Sequence, residues 1–133
     1  MRPVFADTLL LAASVPAPAA APGTAENFLN RADRLLGKGP LALFDGDDKK
    51  LKAEGTAAGN SIRLEREAAE RAGRPILYCS PKPRAELGDR EFLSALRHIP
   101  LAERQRLTLR AAMLQVLQRK YPCRKQVNPH QQE

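Results

Sequence analysis

Between residues 25 and 120 the apolar positions recur at intervals of three and four, and that spacing predicts helices along most of the chain. Phe28, Leu29, Ala32, Leu35 and Leu36 share one face of a helix over residues 25–36, with Thr24 placed to cap it and Gly37 and Gly39 to end it. Pro40 opens a short helical turn over 40–44, which Asp45-Gly46-Asp47-Asp48 breaks. Leu51, Gly55, Ala58, Ile62, Ala69 and Ala72 then follow helical spacing through a long helix over 47–72. Asp47 and Asp48 suit its positive N-terminal end, Glu67–Arg71 and Arg66–Glu70 are expected surface pairs, and Gly73 closes it. Residues 74–88 read as a loop stiffened by Pro81 and Pro83. A fourth helix over 89–98 buries Phe92, Leu93 and Leu96 and stops at Pro100. The last is expected over 101–120, with Leu107, Ala111, Leu114, Leu117 and Tyr121 on its buried face and Pro122 as its stop. Residues 124–133 are polar and read as a flexible tail.

The long helix carries Ala53, Gly55, Ala57, Ala58 and Gly59 within two turns. Each glycine lowers helix stability by about 1 kcal/mol relative to alanine. That cost predicts close backbone approach of a neighbouring helix, in this chain or in a second copy, with a kink near Gly55 as the alternative.

Composition supports the same fold class. The chain has 133 residues, no Trp and only 5% aromatics, and its apolar content is mostly Ala and Leu. No alternating β-branched run suggests a sheet. The expectation is an all-α protein, a small bundle of four to five helices over 25–123. The formal net charge of +7, from 22 Lys+Arg against 15 Asp+Glu, favours an anionic partner: nucleic acid, anionic lipid or an acidic protein face. The basic residues are spread along the helices among acids, and stacking aromatics are scarce, which argues against nucleic acid. No apolar stretch reaches the roughly 20 residues needed to span a bilayer.

The first residues read as an export signal over 1–19. Arg2 supplies the positive start and residues 8–15 the apolar core, and cleavage is expected after Ala19 because Pro22 hinders the next site. An Ala/Pro-rich cytosolic leader is the alternative. Cys79 and Cys123 fit export, because a lone pair in a small secreted chain reads as a disulfide. Closing a loop of about 45 residues would stabilise the fold by roughly 4 kcal/mol. Two reduced core thiols, or a metal site with His98 and His130, remain the alternatives at this level.

Catalytic chemistry is sparse. His98 and His130 are the only histidines, and a helix C-terminus explains the first. Gly37-Lys38-Gly39 is not a phosphate loop. Asp45-Gly46-Asp47-Asp48 resembles the start of a calcium loop, but its twelfth position is Thr56 rather than Glu. Glu65, Glu67 and Glu70 lie among arginines on a solvated face. No enzyme, metal or cofactor is therefore expected. Lys82 and Arg84, in the proline-stiffened loop, and Arg90 just beyond it are the candidate partner-binding residues. A pre-ordered loop loses less entropy on binding.

Several short motifs resemble a known family: Tyr78-Cys79-Ser80-Pro81, then Glu91-Phe92-Leu93-x-x-Leu96, Pro100, Leu109-x-x-Ala112 and Tyr121-Pro122-Cys123, with Gly55-x-x-x-Gly59 upstream. Over residues 28–123 the chain resembles the Rap/Tai family of type VI secretion amidase immunity proteins. The resemblance implies a periplasmic, disulfide-linked helical bundle, often a homodimer, that binds and blocks cell-wall-cleaving amidases. It also implies that the loop around Lys82 and Arg84 occludes an amidase cleft. An orphan envelope protein with a related domain is one alternative. A cytosolic basic nucleic-acid-binding protein is another, motivated by the Ile99-Pro100 junction and by Arg104, Arg106 and Arg110.

Overall fold

The structure, a computed structural model, describes residues 20–81 and 85–123. The expected export signal over 1–19, Lys82 and Arg84, and the tail with His130 lie outside the described residues. Helices α1 (Ala25–Gly37), α2 (Gly46–Arg71), α3 (Asp89–His98), α4 (Leu101–Arg104) and α5 (Leu109–Lys120), with a 3-10 turn over Gly39–Phe44, make an all-α fold. Among the described residues no helix is long and apolar enough to cross a membrane.

Helices α1, α2 and α5 begin where a side chain can accept a free N–H group. Thr24 accepts from the Asn27 N–H at 3.1 Å and starts α1. Phe28, Leu29, Ala32 and Leu35 then turn inward at the expected spacing, while Leu36 stays exposed. Asp45, not Asp47, caps α2, accepting from the Asp47 N–H at 2.9 Å. Asp47 and Asp48 occupy the first turn, where the helix dipole favours a carboxylate. Along α2, Leu51, Ala58, Ile62 and Ala69 are buried; Ala72 is not. Glu67 pairs with Arg63 one turn back rather than with Arg71, and the Arg66–Glu70 pair is present at 3.7 Å. At α3 the Glu91 carboxylate accepts from the Gly88 N–H, and Phe92 and Leu96 are buried while Leu93 is half-buried.

The expected last helix is two. After α4 the chain straightens at Thr108, whose ψ of 160° is extended and whose hydroxyl accepts from the Ala111 N–H at 3.0 Å. The straightened residues pair with the start of α1: Ala25 N–H donates to the Leu107 carbonyl and Leu109 N–H to that of Gly23. A threonine favours this capping role over the interior of a helix. Starting α5 at Leu109 also rotates its buried face. Leu109, Ala112, Met113, Val116 and Leu117 face the core, and Leu107, Leu114 and Tyr121 lie at its margin.

The core joins α1, α2, α3 and α5, with the Phe28 and Phe92 rings 5.8 Å apart and Ile62, Leu96 and Ile99 fully enclosed. At its edge an ionic cluster locks α1 to the start of α2. Arg31 binds Asp47 and Glu54, both at 2.7 Å, and Arg34 reaches Asp45 and Asp47. The Lys38 ammonium holds the Asp45 carboxyl far below the usual carboxylate range, helped by the Asp47 N–H and Arg34, and Arg31 lowers Asp47.

A carboxylate depressed in the folded state stabilises it above the unfolded value near 3.9, and that contribution is lost as pH falls below it. The melting temperature should therefore fall between about pH 5 and pH 2. Asp45→Asn, which keeps the cap but not the charge, should shrink the fall, as followed by circular dichroism.

Candidate functional site: a groove walled by a disulfide-tied segment

Residues 74–81 and 85–88 form no helix, so their backbone groups must find partners elsewhere. The structure supplies them from the end of α5 and from α2. Cys79 is bonded to Cys123, with Cα atoms 4.8 Å apart, and the Cys79 N–H donates to the Tyr121 carbonyl at 2.9 Å. Both cysteines are thereby accounted for, which removes the reduced-thiol and metal alternatives. Gln118 donates to the Leu77 carbonyl, Lys120 to the Glu86 carbonyl at 2.6 Å, and the Tyr121 hydroxyl bridges the Glu86 N–H and carbonyl. From α2, Arg66 donates to the Tyr78 carbonyl at 3.0 Å and stacks over its ring at 5.2 Å. Burial pushes the Tyr78 phenol up, with Arg66 opposing.

Held in this way, the segment forms one side of a half-open groove of about 990 Å³. Tyr78, Ser80, Ala85 and Leu87 line it from the segment, Phe28, Ala32 and Leu35 from α1, Phe92 and Leu93 from α3, and Met113 and Leu117 from α5. The lining from α2 includes Leu51, Gly55 and Gly59. Charged residues also line it: Asp48 paired with Lys52, Glu67 with Arg63, and Asp89 and Arg90 at the start of α3. An apolar pocket of this size with a few polar groups is suited to receiving a ligand or a partner's side chains.

The glycines of α2 have a different role from the one their spacing suggests. Among the described residues no other backbone approaches them: a Cβ at Gly55 would lie 3.8 Å from Phe28 Cζ, and one at Gly59 would lie 3.8 Å from Met113 Sδ. These are ordinary contact distances. Within this chain the small residues widen a groove instead of seating a second helix, and α2 runs through them unbroken.

Of the candidate binding residues, Arg90 lines the groove, is exposed and has no ion pair among the described residues. Lys82 and Arg84 fall between lining residues Ser80 and Ala85 in sequence. His98 lies outside the groove, with Nδ1 2.8 Å from the Ser94 carbonyl. Among the described residues no cluster of three or more His, Cys, Asp or Glu could hold a metal ion. Tyr78 and Arg66 were named in the sequence, one in a motif and one in a surface pair, but not as groove residues. Their signal was weak, a Tyr beside the Cys and an Arg twelve residues before it.

The arginines that suggested nucleic acid are engaged within the fold. Arg104 reaches Glu26 and the Ile99 carbonyl, both at 2.7 Å, and also the Leu96 and Arg97 carbonyls. Arg110 binds Ser61 and Glu65, and Arg106 binds the Ala102 carbonyl. Comparison of the chain with protein-family models, curated proteins and solved structures finds no match.

Gly55→Ala and Gly59→Ala should each raise stability by about 0.5–1 kcal/mol, since each adds helix propensity and a methyl that fits. Urea denaturation measures this, and a loss of stability would restore the close-packing account.

Proposed function

We propose that the protein is an exported, non-catalytic binding protein that blocks a cell-wall amidase delivered by type VI secretion, as its motif resemblance implies. The observation that carries this reading is the disulfide-tied segment beside the groove. It is anchored at Cys79 and again through Glu86, ahead of the exposed Arg90, and in sequence Lys82 and Arg84 fall between those two anchors. Anchored residues enter a partner's cleft with little loss of entropy. The disulfide also suits an oxidising compartment such as the periplasm. The nucleic-acid alternative draws on Arg104, Arg106 and Arg110, whose bonds are intramolecular.

Purified protein should form a stable complex with at least one amidase from a panel of such effectors, and its expression in the periplasm should protect cells from that toxin. Arg90→Glu should weaken the complex about tenfold or more, as expected for a reversed interface charge. If no amidase in the panel binds and no cell is protected, the reading fails.

A further inference from the structure

Among the described residues, the most exposed large apolar side chains lie between α1 and α2. In the 3-10 turn Ala42 packs toward the core, while Leu41, Leu43 and Phe44 point away from it, 67%, 74% and 86% exposed. Leu41 and Phe44 are three residues apart, and a 3-10 turn brings such positions onto one side. Gly39, with φ +59°, and Pro40 fix how the turn leaves α1. Side chains of this size at these exposures leave on the order of 400 Å² of apolar surface, the scale at which a patch on a monomer is often functional.

The charges beside this patch are unbalanced in one direction. Every neighbouring carboxylate has an internal cation: Asp45 has Arg34 and Lys38, Asp47 has Arg31 and Arg34, Asp48 has Lys52, and Glu54 has Arg31. Lys49 and Lys50, at the start of α2, are exposed and have no ion pair among the described residues. The surplus is therefore positive, and its two lysines follow Phe44 in the chain by five and six residues. Protein hot spots favour Trp, Tyr and Arg and use Leu sparingly. Exposed Leu and Phe flanked by lysine are the chemistry of a membrane interface, with apolar groups at the acyl boundary and ammonium groups on anionic headgroups.

We propose that Leu41, Leu43 and Phe44, together with Lys49 and Lys50, dock the protein on an anionic lipid bilayer surface. This does not rest on the amidase reading, and either can fail alone.

The test is co-sedimentation of the full chain with phosphatidylcholine vesicles containing about one-third phosphatidylglycerol, against vesicles of phosphatidylcholine alone. The protein should partition onto the anionic vesicles and release from them as salt rises. Leu43→Ser with Phe44→Ser should reduce binding about tenfold or more. Lys49→Gln with Lys50→Gln should reduce it about twentyfold and flatten the salt response. Circular dichroism confirms that the variants fold, since all four side chains are exposed. Absence of binding to anionic vesicles would overturn the proposal, as would serine variants that bind like the parent. A dimer in sedimentation equilibrium that the serine variants dissociate would assign the patch to a second copy and also overturn it.

Discussion

The bond between Cys79 and Cys123 holds a stretch of chain that cannot hold itself. Residues 74–81 and 85–88 lack the internal hydrogen bonds of a helix, and their ordering depends on what the end of α5 and Arg66 of α2 supply. The bridge places the Cys79 N–H within reach of the Tyr121 carbonyl, and the same few residues of α5 then satisfy Leu77 and Glu86. Reducing the bridge frees a loop of about 45 residues in the unfolded chain, which lowers the stability of the fold by roughly 4 kcal/mol. The groove depends on this, because one of its sides is this segment.

Arginine performs much of the remaining joining. Arg31 draws α1 onto the start of α2 through two carboxylates, and Arg104 gathers the carbonyls that close α3 while binding Glu26 of α1. These bonds serve in place of the larger apolar core that a longer chain would bury. They leave the net charge of +7 in place. Among the described residues the exposed cations without an ion pair include Arg90 beside the groove, Lys49 and Lys50 at the start of α2, and Arg71, Arg74, Arg106 and Arg119.

The helices that begin with a short polar cap were legible in the sequence, because capping is a local rule. Thr24 set the start of α1 correctly, and the aspartates marked that of α2 to within a residue or two. Thr108 obeys the same rule, but it stands inside an apolar period that runs on past it. What breaks the helix there is pairing with residues 23–25, a contact far away in sequence. The disulfide was also legible, from two cysteines in a short chain with an export-like start. The groove was not. Gly55 and Gly59 were visible as an unusual stripe, yet whether a stripe seats a helix or opens a cavity depends on what stands opposite. Here that is Phe28 and Met113, not a backbone.

Amide hydrogen exchange, with and without a reductant, tests most directly whether the bridge holds the groove's side in place. Reduction should speed exchange in residues 76–81 and 85–88 by about tenfold or more while α1 and α2 stay protected, since those helices are held by the core and the Arg31 cluster. Exchange in that segment that stays equally slow after both sulfurs are reduced would contradict the account.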